Sequence, residues 1–198
     1  MLRSAASPAL HAAWLDFVYR TPMMAGLPAH DPRLIERAQH RYINRNMPRA
    51  ARYAAIADHY RMVIAALSPA MFEAIYVTGR ERLGTLPLKD GSPLAIELRR
   101  PTGRGREGEL CLCLADEQGQ MLSSMIFSVA DGGRTLLLGC VQGAHASLGR
   151  EAVRELTKQC HGLRPKNLLL SLLRTFAGHY GITRMRGVAN KAEPFGGQ

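Results

Sequence analysis

The chain has no long apolar run. Nowhere in its 198 residues does a stretch approach the roughly 20 apolar residues that a membrane-spanning helix needs. Residues 1–8 lack the apolar core and cleavage site of a secretory leader. A soluble, cytoplasmic protein without a transmembrane segment is therefore expected. Cysteine is scarce, and the four present (Cys111, Cys113, Cys140 and Cys160) include no C-x-x-C pair and no His-rich partner set, which leaves out zinc-ligand spacing. Cys111 and Cys113 alternate on a strand-like run, so they share a face and are poorly placed to bond each other. Buried, reduced thiols are expected instead. Cys160 stands beside His161, but adjacent residues on a helix point about 100° apart, which disfavours a thiol–imidazole pair. A Ser-His-Asp set, a Walker loop and a dinucleotide fingerprint are all absent. Acidic residues are the last shortage: 16 Asp and Glu face 26 Lys and Arg, a net charge of +10. Such an excess favours encounter with nucleic acid, anionic lipid or an acidic ligand, and it equally describes a solvated basic surface.

What is present divides by period. The first eighty residues read as helical. Trp14, Phe17 and Val18 recur at helical spacing, and Asp31-Pro32 has the look of an N-cap with proline at the first helical position. That start predicts a helix through Leu34, Ile35 and Ala38 to Tyr42 and Ile43. Met47-Pro48 marks a break before a helix through Ala54, Tyr60 and Val63, and Ser68-Pro69 starts another that stops near Gly79 or Gly84. From Leu86 the period changes to two. Strands are expected at 94–99, 110–114, 121–129 and 135–141, joined by short polar loops, which makes an antiparallel meander. Helical spacing returns over 149–161 and 166–180, and 182–188 reads as one more strand. The expected fold class is α+β: a helical region over 1–84, then a meander, two helices and a further strand over 85–198, as one continuous unit.

The junction between the last two helices carries the candidate chemistry. Leu163-Arg164-Pro165-Lys166-Asn167 falls at a helix start, where unpaired N–H groups and the helix dipole favour anions, and Arg164 and Lys166 add two positive charges. A solvated basic turn between packed helices is the plainer alternative. Gln142 and Gly143 end the fourth expected strand; Gly143 permits a positive dihedral or a close backbone approach, and Gln142 can donate and accept. Thr157, Lys158 and His161 sit on the intervening helix, with Thr157 and His161 one turn apart on one face. Glu107 and Glu109 alternate at a strand entry and read as an exposed hairpin shoulder, although paired carboxylates can do acid–base work.

Several of these residues resemble a known family. Gly108-Glu109-Leu110-Cys111-Leu112, Gly139-Cys140-Val141-Gln142-Gly143, Leu156-Thr157-Lys158 and His161-Gly162-Leu163-Arg164-Pro165-Lys166 resemble the signature of the VirK/YbjX family, as do Phe127-Ser128 and Gly187-Val188-Ala189-Asn190. The resemblance implies a bacterial protein of unknown biochemistry, associated with virulence and with envelope or antimicrobial-peptide stress. The order meander, helix, helix, strand is also similar to the acetyltransferase-like core. That similarity implies an acyl-CoA pyrophosphate at Arg164, Lys166 and Asn167 and, if there is a reaction, acyl transfer. The glycine-rich pyrophosphate turn of that superfamily is absent, and Pro165 stands in its place. Family members continue past the Gly-Val-Ala-Asn segment, so a C-terminally shortened version of the core is expected. The ligand-binding set is Gln142, Gly143, Thr157, Lys158, His161, Arg164, Lys166 and Asn167. A non-enzymatic protein that meets a polyanion through its basic surface is the alternative function.

Overall fold

The computed structural model describes residues 7–102, 105–142 and 149–187. Local signals explain most of the helical front end. Helix α1 (Pro8–Arg20) begins on a proline and buries Trp14 and Val18. Two short turns, α2 (Pro22–Ala25) and α3 (Leu27–His30), follow. Helix α4 (Arg49–Ala66) starts directly after Pro48 and buries Tyr53, Ile56, His59, Tyr60 and Val63. These positions recur at helical spacing, as burial of one face requires. Helix α5 (Pro69–Glu73) is capped by the Ser68 hydroxyl, which accepts from the Met71 N–H at 3.2 Å. A π turn over Ala74–Thr78 ends it before Gly79.

The helix expected from Asp31 does not form. Asp31 instead terminates α3, and its carboxylate pairs with Arg37 rather than capping a helix. Only a 3₁₀ turn, Arg37–Gln39, follows. Leu34, Ala38, Tyr42 and Ile43 are nevertheless buried. Burial chose the right residues here, while an ion pair to Arg37, itself held by Glu109 from far along the chain, overrode the local cap.

Six strands form one sheet in chain order: β1 (Arg80–Pro87), β2 (Pro93–Arg99), β3 (Leu110–Ala115), β4 (Met121–Ala130), β5 (Thr135–Gln142) and β6 (Arg184–Gly187). The first five pair antiparallel, and β6 lies parallel to β5, with Thr135 opposite Arg184. Strand β1 occupies the stretch where sequence spacing predicts only the end of a helix near Gly79 or Gly84. Its residues are half-buried or exposed throughout, so no apolar alternation betrays it, and pairing with β2 supplies its order. Helices α6 (Gly149–Gln159) and α7 (Pro165–His179) connect β5 to β6. Such a crossover is what a parallel pair requires.

The helices gather on one face. A single hydrophobic cluster joins Leu98, Leu112 and Phe127 of the sheet to Ile56 and Val63 of α4 and Leu169 and Leu173 of α7. The helical front end and the sheet thus share one core. By strand alternation Cys111 and Cys113 face the other way, where they cluster with Ile126, Met121 and Cys140.

Two register shifts matter for the sites. On β4, Ser123 pairs with Leu114 and Met121 with Ala115, so Leu122 is the unpaired residue of a bulge. On β5, Cys140 pairs with Ile126 and Leu138 with Phe127, leaving Gly139 between them. A Cβ at Gly139 would stand 1.9 Å from the Glu107 carbonyl oxygen. The absent side chain is what lets the segment before β3 cross the sheet.

Candidate functional site

Four of the eight candidate ligand residues converge on one cleft. It has a volume of about 740 Å³ and lies between the start of β4, helix α6 and the first turn of α7. Thr157, Lys158, Arg164 and Lys166 line it. Bulges re-aim side chains, and the unpaired Leu122 lines the cleft with Ser123 beside it. Helix α6 contributes Val153, Arg154 and Leu156, and Pro165 closes the end at α7. Among its described lining residues cations outnumber carboxylates: Arg154, Lys158, Arg164 and Lys166 against Glu151.

The remaining candidates sit elsewhere or make other bonds. Gln142 is exposed at the end of β5, and its carbonyl accepts from the Ser123 hydroxyl at 3.0 Å, so it borders the cleft wall without lining it. Gly143 lies outside the described residues. His161 is exposed and has left α6: it occupies the following turn with φ 56°, so it no longer shares the Thr157 face. The helix stops at Gln159 because Cys160, His161 and Gly162 turn the chain, with the Gly162 N–H donating to the Thr157 carbonyl at 2.8 Å. Thr157 turns its hydroxyl back onto the Val153 carbonyl at 2.7 Å. Asn167 is exposed on the first turn of α7, its N–H donating to the Arg164 carbonyl at 2.9 Å. Arg164 is the extended N-cap residue and Pro165 the first helical one. Lys158 pairs with Glu155 at 3.3 Å and Arg154 with Glu151 at 3.8 Å, both exposed contacts that hold little energy.

A second polar constellation was not legible as such. Glu109, expected on an exposed shoulder, has a fully buried side chain. Arg37, with a side chain 5% exposed, donates one guanidinium nitrogen to Glu109 and another to Asp31. The Tyr60 hydroxyl donates to the same Glu109 oxygen at 2.9 Å, and the Glu109 N–H donates to Ser128 Oγ at 3.0 Å. Ser128 Oγ lies 2.6 Å from the Tyr42 hydroxyl. Burial pushes the Glu109 carboxyl up from its usual range, opposed by the Arg37 charge and the tyrosine hydroxyls. For Arg37 burial acts against the charged form, but Glu109 and its other neighbours outweigh it and the pKa rises. Gly105 packs flat against this guanidinium: a Cβ there would meet its carbon at 2.5 Å. Arg37 also reaches a small cavity of about 230 Å³, shared with Arg33, Glu36, His40 and Arg106.

His59 completes the buried set. Beyond Phe127, β4 has no β3 partner, and there the Val129 N–H donates to His59 Nδ1 at 3.2 Å. That bond assigns the proton to Nε2, which donates to the Tyr76 hydroxyl at 2.7 Å. Burial, with the Arg37 charge adding to it, lowers the His59 pKa to about 3. Among the described residues, no group of three or more His, Cys, Asp and Glu is arranged to hold a metal ion.

The comparisons agree with the resemblance in the signature segments. The family described as "Protein of unknown function (DUF535)" matches residues 1–195. The chain belongs to that family. It is 27% identical over 193 residues to the uncharacterized protein YbjX of Escherichia coli K12, a match covering 96% of this chain and 58% of that protein. An uncharacterized protein of Haemophilus influenzae is 33% identical over 66 residues, which is 33% of this chain and 23% of that protein. The "Membrane protein LapB" of Mannheimia haemolytica is 25% identical over 187 residues, 89% of this chain and 75% of that protein. The chain thus spans well under two thirds of the length of the first two relatives. No solved structure matches. Among the described residues, no helix is long and apolar enough to cross a membrane.

Proposed function

We propose that this DUF535-family chain binds an anionic ligand of the acyl-CoA type in the cleft between β4, α6 and α7. The observation that carries the reading is the convergence of Arg154, Lys158, Arg164 and Lys166 on one concavity beside the first turn of a fifteen-residue helix. Two of those cations flank Pro165 at the start of α7, the end where the helix dipole favours an anion. A pyrophosphate matches that concentration of positive charge. The acetyltransferase-like likeness of the connectivity supports the same ligand, and any reaction is then an acyl transfer. Four cysteines, none in a disulfide and three of them buried, support a reducing compartment such as the cytoplasm. A role in virulence, or in envelope or antimicrobial-peptide stress, is part of this proposal. The relative named as a membrane protein supports an envelope connection.

Calorimetric titration of coenzyme A and acyl-CoA tests the reading with Arg164→Ala and Lys166→Ala. Both side chains are exposed, so folding should be unaffected. Loss of a charge-assisted contact should weaken binding about tenfold for each substitution. Equal affinity in the wild type and the double variant would remove the cleft as the ligand site.

A second reading has its own observation. Arg41 and Arg49 stand near Arg52; after burial, their charges are what lower its guanidinium pKa. Such a patch suits a polyanion met without chemistry. Binding to DNA or to anionic vesicles should then weaken steeply as salt rises. Salt-insensitive affinity excludes this reading.

A further inference from the structure

Resting on that cleft reading, we infer that its ligand is a single-chain anionic amphiphile, whose aliphatic chain lies against the cleft floor while its phosphate or pyrophosphate meets the basic rim. Part of the lining is apolar. Leu122 comes from the β4 bulge, Val153 and Leu156 from successive turns of α6, and Pro165 from α7.

The apolar stripe of α6 points the same way. Val153, Leu156 and Cys160 lie on one helical face. Cys160 is buried and Leu156 half-buried, whereas Val153 remains 37% exposed. The C-terminal end of α6 is tied down, since the Lys89 N–H donates to the Gln159 carbonyl at 3.1 Å. Towards its N-terminal end the same stripe opens onto the cleft. Leu163, just before the basic pair, is also 43% exposed. Apolar surface left wet beside a concavity marks a place where another apolar group belongs.

Charge decides the other end of the ligand. Among the described lining residues, four cations against one carboxylate select an anionic head. A nucleic acid fits less well, because single-strand binding relies on aromatic platforms and no described lining residue is aromatic. A short acyl group fits less well too, because it would leave Leu122, Val153 and Leu156 in water. The volume of about 740 Å³ lies in the range of about 300–1,000 Å³ typical of small-molecule sites.

The test is a chain-length series on the full chain: coenzyme A, acetyl-CoA, octanoyl-CoA and dodecanoyl-CoA, each below its micelle concentration, with dodecyl phosphate as a head-group probe. Full burial strengthens binding up to about fourfold per methylene. In a half-open cleft, octanoyl-CoA should bind at least about tenfold tighter than acetyl-CoA. Val153→Asn replaces an exposed residue and should flatten that dependence. Arg164→Ala with Lys166→Ala should weaken every member of the series alike. Equal affinity for coenzyme A, acetyl-CoA and octanoyl-CoA overturns the amphiphile and leaves the anion site standing. An unchanged chain-length dependence in Val153→Asn overturns the location of the chain. If no member binds to folded protein, the cleft reading itself falls. Dodecyl phosphate binding as tightly as dodecanoyl-CoA supports the amphiphile and removes the nucleotide from it.

Discussion

Replacing Arg37 by Leu tests the buried ion pair most directly. The guanidinium is 5% exposed and Glu109 fully buried, so the substitution leaves a carboxylate inside the core without its counter-charge, held by tyrosine hydroxyls. Breaking one partner of a buried pair costs about 3–5 kcal/mol, well above the roughly 0–1 kcal/mol of a surface bridge. The loss should also depend on pH. Burial raises the Glu109 pKa above the unfolded value of 4.5, with Arg37 holding it down. Removing Arg37 therefore lifts the folded-state pKa further. Between the unfolded and folded values the native state binds more protons than the unfolded one, so stability falls as pH rises, by about 1.4 kcal/mol per unit. Arg37→Leu should consequently lose more stability at about pH 8 than at about pH 5, relative to the wild type. Urea unfolding followed by circular dichroism across that interval measures both quantities. Adding Glu109→Leu should recover much of the loss and remove the added pH slope, since an apolar pair can replace a buried ionic one. A pH-independent loss below about 1 kcal/mol would refute the pairing, because that is what an exposed contact gives.

Two further substitutions probe the same core. His59 is held neutral with a pKa of about 3 against 6.5 when unfolded, so the native state binds fewer protons in that interval. Stability should fall as pH drops from 6.5 towards 3, and His59→Asn should remove about 1.4 kcal/mol per unit of that slope in acid-unfolding titrations. An unaltered acid profile would show that His59 is not buried neutral. Gly139→Ala sets a Cβ 1.9 Å from the Glu107 carbonyl, backbone against backbone. Overpacking of that kind costs about 1–3 kcal/mol, readable as a lowered urea midpoint. A midpoint equal to the wild type would mean that the crossing segment can move aside.

Periodicity was enough where elements answer to their own residues. The break at Pro48, the Ser68 cap, the four meander strands and the pair α6 and α7 all follow from spacing and capping. It failed where a distant partner decides. Strand β1 carries Arg80, Glu81 and Arg82 and shows no apolar alternation, so only its pairing with β2 reveals it. The stretch after Asp31 reads as a helix until Arg37, itself bonded to Glu109, takes the capping carboxylate. His161 was placed on a helical face that ends two residues earlier. Half of the candidate ligand residues nonetheless line one cleft, because a proline at a helix start is a local signal.

By itself the sequence determined the α+β class, the order of most elements, the basic junction at Pro165 and, through its signature segments, the family. Tertiary structure alone decided that Leu122 turns into the cleft, that Val153 stays open beside it, and that Glu109 is buried with a counter-charge 72 residues away. The reason is physical. Helix starts and strand alternation are fixed by neighbours a few residues apart. A bulge needs its paired strand, and a carboxylate can leave water only where a folded chain brings a cation and hydrogen-bond donors to meet it.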